Sequence, residues 1–300
     1  MTEGDSPTVA RRRVRLAIRE AREAAALTQQ QVAEEMEWSL SKVIRIENGE
    51  VSIAPNDLRP LLGYLGIKDR NRIAAMLADA KVARTRQRRA WWQNPELREQ
   101  LTEPLRRFIE YEAEAVAIRS YSIYYMPGLV QTPEYARALT GTFHEEIPQE
   151  RIRALLEARK LRRESLLSRL GSLKYYMVLD ESVFMRPTGG PVVFAAQLRE
   201  MHRLAEQGLL QIRMLPFDLD SPIANNASYD LLSLGDDAGD EVLYRENGLT
   251  DELVEDRAST LRHRRRFERL WHLAATEADT IRFIAARISN LEKTIAGRQG

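Results

Sequence analysis

QQQVAEEMEWSLSKVIRIEN, residues 29–48, has a spacing of residue types that few local structures demand. Counting Gln29 as the first residue, the fifth is Ala33, the fifteenth Val43 and the eighteenth Ile46. Two short helices that cross steeply bring their backbones close near the fifth position, where only a small side chain fits. The fifteenth and eighteenth positions lie three apart on one side of the second helix and turn that side to an apolar interior. Thr28 is a suitable N-cap for the first helix, expected from Gln29 to about Met36. Ser39 or Ser41 can cap the second, which Asn48-Gly49 should stop. The turn between them wants a positive φ at the ninth position, normally a glycine. Glu37 stands there, so either that backbone costs about 1 kcal/mol or the turn is built differently.

Outward from this stretch the pattern stays helical. Val14, Ile18, Ala21 and Ala25 recur at i, i+4, i+7 and i+11 before it. After it, Leu58, Leu61, Leu62 and Leu65 share one side of a helix over 57–65 that Gly66 closes. A fifth helix starts near Asp69 and carries Ile73, Met76, Leu77 and Ala80. These elements make an all-α domain over 1–83 with a helix-turn-helix at its centre, and the wet side of its third helix suits the DNA major groove.

LTQQQVAEEMEWSLSKVIRIENGE, residues 27–50, resembles the Xre-type, lambda-repressor-like helix-turn-helix regulators. The likeness covers about residues 10–80 and implies roles by position. Gln29, opening helix two, is expected at a phosphate through its outward backbone N–H. Ser39, Leu40, Ser41, Lys42 and Arg45 are expected on the outward face of helix three. Arg45 is the best base reader, because its fork matches guanine O6 and N7. Leu40 can meet a thymine methyl, Ser41 can donate or accept, and Lys42 can serve base or phosphate equally. Arg11, Arg12, Arg13 and Arg15 can add backbone contacts or serve solubility alone. Glu47, close to the helix end and of the wrong charge for phosphate, is expected to be structural.

Three hundred residues, 44% of them hydrophobic and 30% charged, provide for two folded domains and exclude a disordered chain. Cysteine is absent, which excludes disulfides, thiolate metal sites and cysteine nucleophiles. No apolar run approaches the roughly 18 residues of a bilayer span, and no apolar segment follows the basic N-terminal stretch. A cytoplasmic protein without a membrane role is expected. The net charge of +1 conceals a split: residues 1–90 hold 17 Lys/Arg against 12 Asp/Glu, residues 91–300 hold 28 against 32. Such asymmetry suits two halves that face different partners.

KVARTRQRR (81–89) followed by Trp91-Trp92 marks the junction, and a basic and aromatic linker is expected over 84–108. It reads as a solvated linker, as the tail of a long helix or as an arm along a phosphate backbone. Beyond it, over 109–300, helices are expected over 105–117, 133–139, 150–170 and 192–206, and strands over 118–125, 174–179, 210–215, 228–234 and 241–245. A helix, in one or two pieces, is expected from Thr250 to about Ile295. The whole is multidomain: an all-α lambda-repressor-like helix-turn-helix domain, then an α+β domain of a small sheet with packed helices.

The α+β part offers little catalytic chemistry. His144, His202, His263 and His272 lack metal-ligand spacing. Asp180-Glu181 is either an acid/base pair or a loop contact, and Asp236, Asp237, Asp240 and Glu241 fit a hairpin turn better than a calcium loop. The basic run 262–266 can pair with Glu252, Glu255 and Asp256 or hold an acidic partner. No catalytic residue, metal site or cofactor is expected, and an enzyme with an accessory DNA-binding domain is the remote alternative. MPGLVQTPEYARAL (126–139), VLDESVFMRPTGGPVVFAAQLREMHRLAE (178–206) and IRMLPFD (212–218) resemble the DUF5753 domain of Scr1-like, antitoxin-like transcriptional regulators of actinobacteria. That resemblance implies a small DUF397-type protein partner. The expected function is sequence-specific regulation of transcription on double-stranded DNA by a homodimer. Its C-terminal domain would pair the subunits and answer to a small partner protein or an unknown small-molecule effector. The alternative is an antitoxin-like protein whose main role is binding the DUF397-type partner.

Overall fold

A computed structural model describes residues 6–85, 90–142, 145–220, 227–235, 240–246 and 250–298. The chain divides into two compact units, residues 1–90 and 91–300.

The first unit is helical: α1 (Pro7–Ala24), α2 (Gln29–Glu35), α3 (Leu40–Glu47), α4 (Pro55–Tyr64) and α5 (Arg70–Val82). Each start has a physical cause. The hydroxyls of Ser6, Thr28 and Ser39 and the Asp69 carboxylate accept from orphan backbone N–H groups, and Pro55 sits in the first turn of α4. Thr28 and Gln31 satisfy each other reciprocally as a capping box. Val14, Ile18, Val32, Ala33, Val43, Ile46, Leu58, Leu61 and Leu62 are all buried in one core. Each fully buried leucine or isoleucine contributes about 1.5–3 kcal/mol, so this core is enough to hold short helices that would not persist alone.

The second unit is built on a six-stranded mixed sheet of β1 (Ala117–Ser122), β2 (Lys174–Asp180), β3 (Gln211–Leu215), β4 (Tyr229–Ser233), β5 (Glu241–Glu246) and β6 (Asp251–Val254). The spatial order is β3-β2-β1-β4-β5-β6. β1, β2 and β3 run parallel, while β4, β5 and β6 follow antiparallel. Parallel neighbours need crossovers. These are α8 (Pro133–Gly141) with α9 (Gln149–Arg169) between β1 and β2, then α10 (Glu181–Met185) with α11 (Gly190–Glu206) between β2 and β3. Alternation along the strands gives two faces. Tyr121, Val178, Tyr229, Leu231 and Leu243 face Phe267 and Leu270 of α12 (Arg257–Leu273). On the other face Tyr244 stacks on Phe108, at 4.2 Å between ring centroids. α13 (Glu277–Ala296) packs against α11 and β3.

Two sequence expectations are corrected here. The segment 84–108 is not a free linker along its length. From Trp91 a helical turn leads into α6 (Pro95–Gln100) and α7 (Glu103–Glu112), and Leu97, Leu101 and Ile109 are buried with Ala154 and Ala158 of α9. Two tryptophans and this many leucines carry more apolar surface than a solvated strip tolerates. Residues 86–89 of the basic stretch lie outside the described residues. The helix expected from Thr250 begins only at Arg257, capped by Asp256, because residues 251–254 pair antiparallel with β5 through Leu253↔Tyr244 and Val254↔Leu243.

Candidate nucleic-acid interface

α3 starts at Ser39, whose hydroxyl accepts from the Lys42 N–H, and it stops before Gly49, at φ 78°. Adding a Cβ at Gly49 would also place it 2.8 Å from Cδ and Nε of Arg15, so both the backbone and the packing require glycine. The turn before α3 passes through Glu37 at φ 53°. The departure from glycine is therefore absorbed as strain, not avoided by a different turn.

Ala33, Val43 and Ile46 are buried, which fixes the rotation of α3. Ser39, Leu40, Ser41 and Arg45 lie on its exposed side, with Lys42 half-buried at the margin. Leu40 is one of the exposed large apolar side chains. The Arg45 guanidinium is more than half exposed, and its carboxylate neighbour, Glu50, is 3.6 Å away and equally wet. The Lys42 ammonium is more constrained. It lies 3.0 Å from Asp57 and 3.8 Å above the centroid of the Trp38 ring. That cation–π contact and ion pair hold its charge at one edge of the face.

Behind this face lies a buried anchor. Glu47, 4% exposed, accepts from Arg22 at 2.6 and 2.9 Å and from the Gln29 side chain at 2.8 Å. The hydrogen bond from Arg22 to Glu47 outweighs desolvation and raises the Arg22 pKa above its ordinary value. The expected structural role of Glu47 is met with specific partners. The Gln29 side chain is spent on this contact, so any phosphate contact at Gln29 falls to its backbone N–H. Sequence reasoning passed over Arg22, Trp38 and Asp57. The first lies 25 residues from its partner, and no helical spacing links them.

The N-terminal arginines, expected to add backbone contacts or serve solubility, are tied into the helical unit. They belong to α1, where Arg12 and Arg15 are buried, Arg11 donates to Ser52 at 3.0 Å and Arg13 lies 3.7 Å from Asp79. An amphipathic helix buries some of its arginine stems regardless of charge.

In the second unit the carboxylates singled out in the sequence have local duties. Asp180 caps α10 through the Ser182 N–H, and Glu181 accepts from the Phe217 N–H at 2.8 Å. Glu252 pairs with Arg245 and Glu255 with Arg107, Asp256 caps α12, and Arg264 reaches buried Glu241 at 3.1 Å. His263 is buried with Nδ1 against the Ser259 carbonyl, and burial lowers its pKa. His144, Asp236 and Asp237 lie outside the described residues. No helix among the described residues is long and apolar enough to cross a membrane.

Residues 105–286 match the family described as a domain of unknown function, DUF5753, and residues 14–76 match a helix-turn-helix domain. The second match supports a DNA-binding regulator. No curated protein and no solved structure matches the chain.

Proposed function

The chain belongs to the DUF5753 family, and from that membership and the helix-turn-helix domain ahead of it we propose that the protein is a sequence-specific transcriptional regulator of the Xre type, without catalytic activity of its own. One observation carries the reading. α3 turns Val43 and Ile46 inward and leaves Leu40, Ser41 and Arg45 on a continuous wet face. Such a helix fits a major groove, with Arg45 reading guanine and Leu40 and Ser41 beside it. Ser39, Lys42 and the Gln29 backbone N–H are assigned to phosphates on either side.

One such head covers about half of a typical operator, so the active form is a homodimer joined through the C-terminal unit. Control is a shift between dimers whose heads match the half-site spacing and dimers whose heads do not. A small acidic protein partner is an alternative trigger, and the exposed Arg262, Arg265 and Arg269 along α12 favour it. The test is footprinting of the purified chain on the DNA upstream of its own coding sequence, with sedimentation to fix the oligomeric state. A protected, two-fold symmetric site that vanishes in Arg45→Ala supports the proposal. Uniform, sequence-independent protection overturns it.

A further inference from the structure

The second unit contains a cavity of ≈ 140 Å³, bounded by α7, α9, the end of β1 and the starts of β4 and β6. An apolar cavity of comparable volume holds a benzene-sized molecule. One stripe of α9, at i, i+4, i+8 and i+11, delivers Arg151, Leu155, Arg159 and Arg162 to its wall. Leu105 and Ile109 of α7 extend the apolar part.

The hydrogen-bond accounting of this wall does not close. Gln131, 3% exposed, donates its Nε2 to the Met126 carbonyl at 2.7 Å while its Oε1 has no partner among the described residues. The Arg151 Nε is likewise buried without a partner. Buried polar atoms are nearly always satisfied, and two orphans on one cavity wall point to a guest that satisfies them. The other charges on the wall are engaged. Arg162 is spent on a two-pronged pair with Glu112, Asp230 accepts from Ser120, Asp251 accepts from Thr102, and Glu246 accepts from Tyr125. Arg159 donates to the Thr140 hydroxyl and feels the Glu246 carboxylate, with no carboxylate at ion-pair distance among the described residues.

The unmet needs define the guest. Arg151 calls for an anion, with Arg159 beside it, Gln131 Oε1 calls for a donor, and the α7 side calls for an apolar body. We propose that this cavity binds a small organic carboxylate of about six to ten non-hydrogen atoms that carries a hydroxyl or amino group. The proposal rests on the reading of the C-terminal unit as the responsive half of a regulator, and it names the chemistry of the effector.

Isothermal titration of the full chain tests it with 4-hydroxybenzoate, anthranilate and 3-hydroxybutyrate. 4-Hydroxybenzyl alcohol serves as the neutral counterpart and inorganic phosphate as the bare anion. At least one of the carboxylates should bind one to one, at least tenfold tighter than both controls. Arg151→Met should weaken that carboxylate at least tenfold, and because Arg151 holds no other group among the described residues its circular dichroism and thermal midpoint should match the parent. The proposal is overturned if none of the three carboxylates binds, if the alcohol or phosphate binds equally well, or if Arg151→Met binds unchanged. Footprinting of the ligand-free chain is read separately, so protected DNA without carboxylate binding overturns the cavity site alone and leaves the DNA-binding reading standing.

Discussion

The two arms of the Arg22 guanidinium grip the two oxygens of Glu47, at 2.6 and 2.9 Å, and tie the end of α1 to the end of α3. Removing Glu47 leaves Arg22, among the described residues, only the Leu27 carbonyl and the exposed Glu23 at 3.6 Å. Glu47→Ala should therefore cost about 3–5 kcal/mol of unfolding free energy in the N-terminal unit. The Gln29 side chain loses its acceptor in the same variant, so α2 and α3 lose their common anchor. Urea denaturation followed by circular dichroism measures this, and a loss below about 1 kcal/mol would show the pair to be dispensable.

Arg45 makes the opposite prediction. Its guanidinium is 56% exposed and lies 3.6 Å from an equally exposed Glu50, so Arg45→Ala should leave folding unchanged. On the specific operator it should lose roughly 1–3 kcal/mol of binding, and on random DNA little. Equal losses on both sequences would move Arg45 from base reading to phosphate contact.

Lys42 is held by Asp57 at 3.0 Å and by the Trp38 ring. Asp57→Asn releases the ammonium to the phosphates. The slope of log affinity against log salt should then steepen by up to about one unit, with a stability change below about 1 kcal/mol because the pair is half exposed. Titrations at several salt concentrations give the slope. An unchanged value would place Lys42 away from the duplex.

Glu37 holds φ at 53° in the turn between the two helices. Glycine relieves the Cβ clash of that backbone but gives the unfolded chain more freedom, and the two effects leave a net gain of about 0.5–1 kcal/mol for Glu37→Gly. Glu37→Val, branched at Cβ, should destabilise instead. Denaturation midpoints of the pair decide whether the turn is strained.

Where signals are local, sequence and structure agree closely. The Ser39 hydroxyl and the Asn48-Gly49 stop bracket α3, and the three-residue step from Val43 to Ile46 sets its rotation, because caps and helical periodicity act within one or two turns. What was missed or misread is long-range. Glu47 meets Arg22 across 25 residues, a pairing only the tertiary fold creates. Arg12 and Arg15 look wet by type but lie in the core, Arg15 across a glycine that leaves it room. β6 carries Asp251 and Glu252 and reads as a helix start. At a sheet edge charged residues are tolerated, and pairing with β5 overrides local preference. The Arg-rich character of α9 was visible, but the cavity it lines was not, since Tyr121, Gln131 and Asp230 come from other elements.

Asp230 gives the second unit an unusual pH response. Desolvation raises its pKa to about 6, opposed by the Ser120 hydrogen bond and the Arg162 charge and reinforced by Glu112 and Glu246. Because the folded pKa exceeds the ordinary carboxylate value near 4, the folded state holds the proton more tightly than the unfolded chain. The stability this gives is complete below about pH 4 and is lost as pH rises through about 6. Asp230→Asn keeps an oxygen to accept from Ser120 and removes the titration. Relative to the parent it should be neutral or slightly destabilising at pH 4 and stabilising by up to about 2–3 kcal/mol at pH 7.5. Taking the difference between the two proteins cancels the titration of groups away from this cluster, including His263, whose lowered pKa acts in the opposite sense. Chemical denaturation of both proteins at each pH measures it. A difference that stays constant across this window would place the Asp230 titration below it and would show the carboxylate to be charged and fully compensated by Arg162 and Ser120.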